Sequence, residues 1–222
     1  MVDFQCGASN NFPAWNGWNV VRWKLPKVLG GGPDYLARFK DSWVRHNRLT
    51  IKNSAASQNM PALLLAGVCW VEVAGDPTFI DTAAHLFRSF DWSGPDFIDR
   101  NFTISSPPEK TSFGPASMQI RVAAEVLGID VATLDVVDRQ MLGRCLEVDV
   151  YNIDLAARYL RTLIDHDGLQ SNPPALGDFA LKVAATRYNR GVSESLEVIK
   201  GRLSYGEDVL RRRAHINSLL MN

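Results

Sequence analysis

The chain of 222 residues has no apolar run that is long enough to cross a bilayer, which takes about 20 helical residues. Its first residues show neither a basic region nor an apolar core, so we expect no secretory signal there. Strand-like alternation is scarce, and we find no repeat and no low-complexity tract. These absences favour a globular protein that is mostly α-helical and has no membrane span.

Cysteine is scarce, with Cys6, Cys69 and Cys145 far apart in the sequence. This spacing differs from the dense frameworks of small secreted proteins, so we predict free thiols rather than disulfides. Free thiols would agree with synthesis in a reducing cytoplasm. The four histidines follow no metal-ligand spacing, so we predict no metal site.

An excess of charge of either sign is also missing, because 24 basic residues balance 24 acidic ones. A neutral chain has no general attraction to nucleic acid or to an anionic membrane. The run Arg211–Arg213 therefore favours a solvated helix face over a binding patch, and we expect no nucleic-acid partner.

What the chain does have is one very apolar stretch at residues 61–76, PALLLAGVCWVEVAGD. Pro61 suits the first turn of a helix, and Gly75 suits its C-terminal end. A helix that is apolar on every side is a buried one, so 61–75 predicts a central core helix. Its single charged side chain, Glu72, falls in the last turn.

Burial and the negative end of the helix dipole both favour the protonated form of a carboxyl group at this position. A carboxylic acid that keeps its proton near neutral pH is what a glycosidase uses to protonate a leaving oxygen. Glu72 is therefore a candidate general acid. The alternative is structural: the side chain reaches water at the helix end or pairs with an arginine.

Further helices are predicted where apolar side chains recur at helical spacing. They cover residues 34–47, 78–90, 133–149, 152–167, 175–188 and 204–220, with Asn152 and Ser204 as N-caps. Residues 48–60 predict a polar connection. Residues 91–112 predict a loop of about twenty residues, a length that is uncommon and often functional.

The first 33 residues are rich in Asn, Gly, Pro and Trp. Trp15, Trp18 and Trp23 have two interpretations: they pin the segment onto a core, or they stack on sugar rings. We expect residues 1–58 to form a small N-terminal elaboration with one helix, packed on a larger domain at 59–222.

Four short pieces then follow one another in order. They are Glu72 at the end of its apolar helix, SFGPASMQI at 112–120, Asn152 opening a helix with ARYL at 157–160, and AATRYNRG at 184–191. Together they resemble the lysozyme-like superfamily, specifically the goose-type lysozyme and lytic transglycosylase group. That family has a catalytic Glu ending a buried helix, a Gly-Leu-Met-Gln type stretch across the cleft and an Ala-Tyr-Asn-Ala-Gly type ending. The resemblance covers residues 60–195.

The resemblance implies a lysozyme-like helical domain in which Glu72 is the general acid. It also implies five residues around the substrate: Ser112 near an N-acetyl group, Met118 and Gln119 along the cleft, Tyr188 orienting the acid, and Asn189 supporting the turn. The structural alternatives are a core role for Met118 and Tyr188 and a turn role for Ser112.

The activity that this resemblance implies is cleavage of the β-1,4 bond between N-acetylmuramic acid and N-acetylglucosamine in peptidoglycan, without a cofactor. An inverting hydrolase needs a second carboxylate, roughly 6.5–9.5 Å from the acid, to activate water. Asp91 is the first candidate, and Asp81, Asp96 and Asp99 are the others. Without such a partner the substrate's own N-acetyl group assists, and the lytic transglycosylase route yields anhydro sugars.

The chain departs from the family pattern at two points. Val73 stands where Ser often follows the Glu, and the stretch from Gly114 to Gln119 is two residues longer than its counterpart. These departures keep open a catalytically silent glycan-binding protein of the same fold.

A wall hydrolase that is made in the cytoplasm without a signal is typical of phage endolysins and of antibacterial effectors exported by a specialised machine. Such an effector would act in the periplasm and would have a cognate inhibitor protein as a second partner.

Overall fold

The structure is a computed structural model, and it describes residues 4–7, 11–74, 112–169 and 175–221. Within those ranges the chain forms eleven α-helices, two 3-10 turns and one two-stranded sheet, which confirms the mostly α class. None of the described helices has both the length and the apolar character needed to span a membrane.

The helices follow one another along the chain with short connections in each described range. They are α1 (Gly17–Lys24), α2 (Pro33–His46), α3 (Arg48–Ser57), α4 (Ala62–Glu72), α5 (Ile120–Val126), α6 (Val136–Leu146), α7 (Asp149–His166), α8 (Asp178–Arg190), α9 (Leu196–Lys200), α10 (Ser204–Arg211) and α11 (Arg213–Met221). The 3-10 turns are Lys27–Leu29 and Val131–Thr133, and the strands are β1 (Ser112–Phe113) and β2 (Met118–Gln119).

The chain divides into two compact units. The first consists of Met1–Ala37 and Ala74–Asn152, and the second consists of Arg38–Val73 and Ile153–Asn222. The predicted division of the chain at residues 58 and 59 stays a prediction.

The second unit is built around α4, as its apolar composition predicts. Residues Leu64–Cys69 are all buried, and α3, α8, α10 and α11 pack against this helix. A helix without a polar face gains most when it is surrounded, because each apolar side removed from water adds to the free energy of folding. The prediction of a buried central helix is therefore confirmed.

The structure corrects the predicted C-terminal end of α4 and the prediction for residues 48–57. The helix ends at Glu72, and Val73 closes it by donating its N–H to the Cys69 carbonyl at 2.8 Å, before Gly75 is reached. Residues 48–57, predicted as a polar connection, are helical because Ile51, Ser54 and Ala55 give α3 a narrow buried face. A face of one isoleucine and two small residues is too weak a pattern to stand out in the sequence.

Two predicted N-caps are also corrected. Helix α7 begins at Asp149, so Asn152 lies inside it, where its side chain is fully buried and bonds another segment. The helix predicted at 204–220 is interrupted at Arg212, and Leu203 rather than Ser204 occupies the N-cap position of α10. The backbone N–H of Gly206, near the start of α10, is bonded by Thr186 of α8, a tertiary contact that sequence spacing does not show.

The cysteine prediction is wrong for two of the three residues. Cys6 and Cys145 form a disulfide within the first unit, with Cα atoms 4.9 Å apart and a sequence separation of 139. Tertiary folding brings such distant residues together, so their spacing gave no signal. Cys69 takes no part in this bond and is buried in α4.

Hydrogen bonds beside the disulfide hold the N-terminal segment to the start of α7. The Asn11 side chain donates to the Glu147 carbonyl at 3.0 Å and accepts from the Asp149 N–H at 2.9 Å. The Asp149 carboxylate accepts in turn from the Phe12 N–H at 2.9 Å. Asn11 thus satisfies backbone groups at the end of α6 and the start of α7, and Asp149 satisfies the Phe12 N–H.

We expect Cys6→Ser combined with Cys145→Ser to lower the free energy of unfolding by about 2–5 kcal/mol, because the open chain gains loop entropy when it unfolds. Denaturant titrations of wild type and the double variant, each with and without reductant, measure this. The reductant should shift the wild-type midpoint and leave the double variant unchanged. Equal midpoints for wild type in both buffers would contradict the disulfide's stabilising role.

Candidate functional site

Glu72 is the last residue of α4, and its side chain is half-buried, so part of it meets solvent. The hydroxyl of Tyr205 donates a hydrogen bond to Glu72 Oε1 at 2.6 Å. This short bond, made to a group that can be charged, fixes the carboxyl plane. The bond engages Oε1 and does not involve Oε2.

Tyr205 reaches Glu72 because α10 packs very closely on α8. A Cβ added at Gly206 would lie 2.1 Å from the Lys182 carbonyl oxygen, so this position accepts glycine alone without a backbone shift. The Gly206 N–H donates to Thr186 Oγ1 at 3.2 Å, and Thr186 is fully buried. A side chain of α8 therefore bonds a backbone N–H at the start of α10, beside the residue that bonds Glu72.

Tyr188 is the second tyrosine near the carboxyl group. Burial raises the pKa of Tyr188 well above its ordinary value, with further contributions from Cys69 and Glu72. Burial also raises the pKa of Tyr205, and the Glu72 carboxylate adds to that effect. Both hydroxyls therefore stay neutral donors through the range in which proteins work. The predicted proximity of Tyr188 to Glu72 agrees with this electrostatic coupling.

The end of α8 that carries Tyr188 is fixed by a buried ion pair. Arg187 binds Asp167 with two hydrogen bonds of 2.8 and 2.9 Å, and both side chains are at most 3% exposed. The same guanidinium donates to the carbonyls of Gly191 and Glu194 at 3.2 and 2.6 Å. A guanidinium has five donors in a rigid plane, so it can bond a carboxylate and two carbonyls together. The buried Arg187 side chain thereby holds the turn after Tyr188.

Lys40 lies at the same end of α4 and was not singled out by its sequence context. Its ammonium donates to the carbonyls of Trp70 and Val71 at 3.0 and 2.6 Å, two of the last carbonyls of the helix. Burial lowers the pKa of Lys40 to about 8, and Glu72 opposes this shift as the second contribution. A cation here also suits the negative end of the helix dipole.

A ring of polar contacts around Trp70 completes this end of the second unit. The Trp70 indole donates to Asp41 Oδ1 at 2.8 Å, and His215 Nε2 contacts the same oxygen at 2.7 Å. The Arg212 guanidinium lies over the Trp70 ring at 4.7 Å. Arg212 is therefore engaged with the protein itself, whereas Arg211 is exposed, so the predicted solvated helix face describes only part of the Arg211–Arg213 run.

Ser112, Met118 and Gln119 belong to the first unit, where they form a tight hairpin. Ser112 pairs with Gln119 and Phe113 pairs with Met118 across the two antiparallel strands. Ser112 and Gln119 are half-buried, whereas Met118 is only 2% exposed and contributes to the interior. Their predicted contacts with substrate stay predictions.

Asn152 and Gly114 shape this hairpin. Asn152 accepts from the Ala116 N–H at 2.7 Å and donates to the Phe113 carbonyl at 3.3 Å. Gly114 has φ of 69°, and a Cβ there would lie 1.9 Å from the Leu146 carbonyl oxygen. The Gly114 and Asn152 motifs of the sequence are thus joined in space, and the turn depends on both.

The remaining predicted residues have different outcomes. Asn189 is exposed in the last turn of α8, one position after Tyr188. Asp81, Asp91, Asp96 and Asp99 lie outside the described residues, as does the helix predicted at 78–90. Among the residues that the structure describes, no group of three or more His, Cys, Asp or Glu side chains is arranged to hold a metal ion.

A groove of about 750 Å³ lies in the second unit at the opposite end of α4. Met60, Pro61, Leu176 and Leu181 contribute to its largely apolar lining. An eleven-residue helix is about 16 Å long, and the groove and Glu72 lie near its opposite ends. We place the candidate site at Glu72, where the ionisable and hydrogen-bonding groups converge.

Comparison with known proteins finds no family model, no curated protein and no solved structure that matches this chain. The function is therefore inferred from the chemistry around Glu72. Tyr205 and Lys40 are the partners that sequence reasoning missed. Tyr205 is 133 positions from Glu72 in the sequence, and Lys40 is 30 and 31 positions from Trp70 and Val71. Neither residue belongs to a local motif.

We expect Lys40→Met to remove a pH dependence of stability. Between about pH 8 and pH 10.5 the unfolded chain holds the Lys40 proton more tightly than the folded one, so the wild-type free energy of unfolding rises with pH. The difference between wild type and Lys40→Met should therefore grow by about 2–3 kcal/mol from about pH 7 to about pH 10.

Denaturant titrations at both pH values measure this difference. Lys52→Met, at an exposed position of α3, is the matched control and should show no such growth. A difference between wild type and Lys40→Met that is independent of pH would show that the Lys40 amine is not desolvated.

Proposed function

We propose that this protein is a glycoside hydrolase of the muramidase type, which cleaves the β-1,4 bond between N-acetylmuramic acid and N-acetylglucosamine in peptidoglycan. The observation that carries the proposal is the setting of Glu72, a half-buried carboxyl group that ends a buried apolar helix and is held at Oε1 by Tyr205 at 2.6 Å. The lysozyme-like resemblance of the sequence supports the same residue as the acid.

In the proposed reaction, Glu72 Oε2 carries the proton to the glycosidic oxygen as the bond to the anomeric carbon breaks. Positive charge develops on the sugar ring, and the carboxylate that remains stabilises it. Water then adds to the anomeric carbon, and the proton that it loses passes to a carboxylate base, the role predicted for the second carboxylate. Tyr205 keeps its own proton through the cycle because burial and the neighbouring carboxylate raise its pKa. Its role is to orient the acid: by holding Oε1 it prevents the carboxyl group from rotating, so that Oε2 faces the glycosidic oxygen.

A lytic transglycosylase reaction is the second candidate, and the surroundings of Glu72 favour it. Tyr205 bonds Glu72, Tyr188 and Lys40 interact with it electrostatically, and all three carry hydrogen-bond donors. Donors of this kind suit a route in which Glu72 first gives a proton and then, as a carboxylate, takes one from the sugar's own hydroxyl. The products distinguish the routes, because hydrolysis leaves a reducing N-acetylmuramic acid and transglycosylation leaves a 1,6-anhydro sugar.

The proposed place of action is outside the reducing cytoplasm. The Cys6–Cys145 disulfide supports this, because disulfides persist in oxidising compartments such as the periplasm. An exported antibacterial effector or a phage endolysin, the former with a cognate inhibitor protein as partner, fits this proposal.

We expect Glu72→Gln to fold normally and to lose peptidoglycan cleavage by at least about 100-fold, because the amide does not transfer the proton. Tyr205 still finds an oxygen acceptor in the variant, so the local structure is preserved. Mass spectrometry of muropeptides released from insoluble peptidoglycan measures the rate and identifies the products. Glu125→Gln, at an exposed position of α5, is the matched control. Cleavage at the wild-type rate by folded Glu72→Gln would exclude Glu72 as the acid.

We expect Tyr205→Phe to lower kcat about tenfold with little change in KM, because it removes a hydrogen bond to a chargeable group while keeping the ring. Steady-state digestion of soluble glycan fragments separates the two constants. Tyr35→Phe is the matched control, since it removes a hydroxyl that bonds Asn19 at 2.7 Å in the first unit. Equal kcat values for wild type and Tyr205→Phe would show that the hydrogen bond to Glu72 Oε1 does not contribute to catalysis.

A further inference from the structure

The N-terminal segment exposes large apolar side chains on one side of a well-defined helix. Trp18, Val21 and Leu25 fall at positions i, i+3 and i+7 of α1 and its C-cap, which is one face of a helix. Trp18 is 77% exposed, and in the following 3-10 turn Val28 is 91% and Leu29 is 67% exposed. We call these five residues the α1 face.

The other side of α1 is what packs against the protein. Trp15 is buried and contacts the rings of Trp23 at 6.4 Å and Tyr35 at 6.0 Å, and the Tyr35 hydroxyl donates to Asn19 at 2.7 Å. Asn16 caps the helix by accepting from the Trp18 N–H at 3.0 Å. The helix is thus positioned by Trp23 and Asn19 on its other side and by the Asn16 cap, while the Trp18 side chain is 77% exposed.

The charges around the α1 face have one sign. Arg22, Lys24 and Lys27 are exposed, and residues 11–33 contain no acidic side chain. Asp34 partly offsets the group through an ion pair of 2.7 Å with Lys27. A chain with zero net charge therefore has a local basic segment interleaved with apolar side chains.

We propose that the α1 face binds the surface of an anionic lipid bilayer. Tryptophan and aliphatic side chains bordered by lysine and arginine are the composition of helices that lie in a membrane interface, where apolar groups enter the headgroup boundary and basic groups meet anionic phosphates. An exposed apolar patch without such a role is a liability for a water-soluble protein. This proposal is independent of the proposed glycosidase activity.

The lipid surface is favoured over a protein groove by the distribution of these residues. The apolar side chains extend over two successive short elements, α1 and the turn Lys27–Leu29, instead of forming one long stripe. Helix-in-groove recognition uses anchors along a single continuous helix. A bilayer surface accepts a discontinuous set of apolar groups because it adapts to their shape.

Sedimentation with vesicles tests the proposal. The full chain is mixed with vesicles of phosphatidylcholine alone or of equimolar phosphatidylcholine and phosphatidylglycerol, at low and high salt. We expect binding to the anionic vesicles and its loss at high salt. The pair Trp18→Ser and Val21→Ser, and separately the pair Arg22→Glu and Lys24→Glu, should each weaken that binding at least about tenfold.

Matched controls keep the test specific. Leu49→Ser removes an exposed leucine, and Arg45→Glu reverses an exposed charge, both in the second unit, and neither should change vesicle binding. Circular dichroism establishes that every variant folds. Fluorescence quenching by brominated lipids should occur in wild type and decrease in Trp18→Phe.

Several results would overturn the proposal. Equal binding to neutral and anionic vesicles, or unchanged binding by both double variants, would exclude the α1 face as an anionic lipid site. A dimer in sedimentation velocity that the Trp18→Ser and Val21→Ser pair dissociates would assign the face to a second copy of the chain. Binding to lipid-free peptidoglycan that depends on Trp18, without vesicle binding, would assign it to sugar stacking.

Discussion

The second unit depends on the burial of α4, a helix that offers no polar face to water. Four other helices surround it, and the side chains from Leu64 to Cys69 are removed from solvent. Burial of this kind leaves the C-terminal carbonyls of the helix without intrahelical partners in a partly dry environment. The way in which the protein satisfies that end explains much of what lies beside Glu72.

Lys40 meets this need directly, since its ammonium bonds the Trp70 and Val71 carbonyls. The arrangement places a positive charge close to Glu72 at a cost in desolvation, seen in the lowered pKa of Lys40. Tyr205 and Tyr188 add two neutral hydroxyls. The satisfaction of a buried helix end by Lys40 therefore supplies the positive charge beside the candidate acid, and the two tyrosines supply its polar neighbours.

In each of the two units a buried polar side chain satisfies the backbone of an irregular segment. In the first unit, the buried Asn152 satisfies the backbone of the turn at Phe113 and Ala116. In the second, the buried Arg187 satisfies the carbonyls of Gly191 and Glu194. Both side chains project from helices and hold irregular backbone in one conformation, which removes the cost of unpaired buried groups. The hairpin that Asn152 holds carries Gln119, and Tyr188 lies in α8 next to Arg187, before the segment that Arg187 holds.

The elements that the sequence predicts are those whose signal is local. The apolar stretch predicts a buried helix at 61–75 with Glu72 in its last turn, which the structure ends at Glu72, and helical spacing locates α2, α7 and α8, because these patterns repeat over several turns. Tertiary structure alone decided the rest. The Cys6–Cys145 bond, the capping role of Lys40, the fully buried position of Asn152 and the hydrogen bond from Tyr205 join distant parts of the chain. Gly206, which permits the Tyr205 contact, has no distinctive sequence context. Glycine is required there because the Lys182 backbone lies against it.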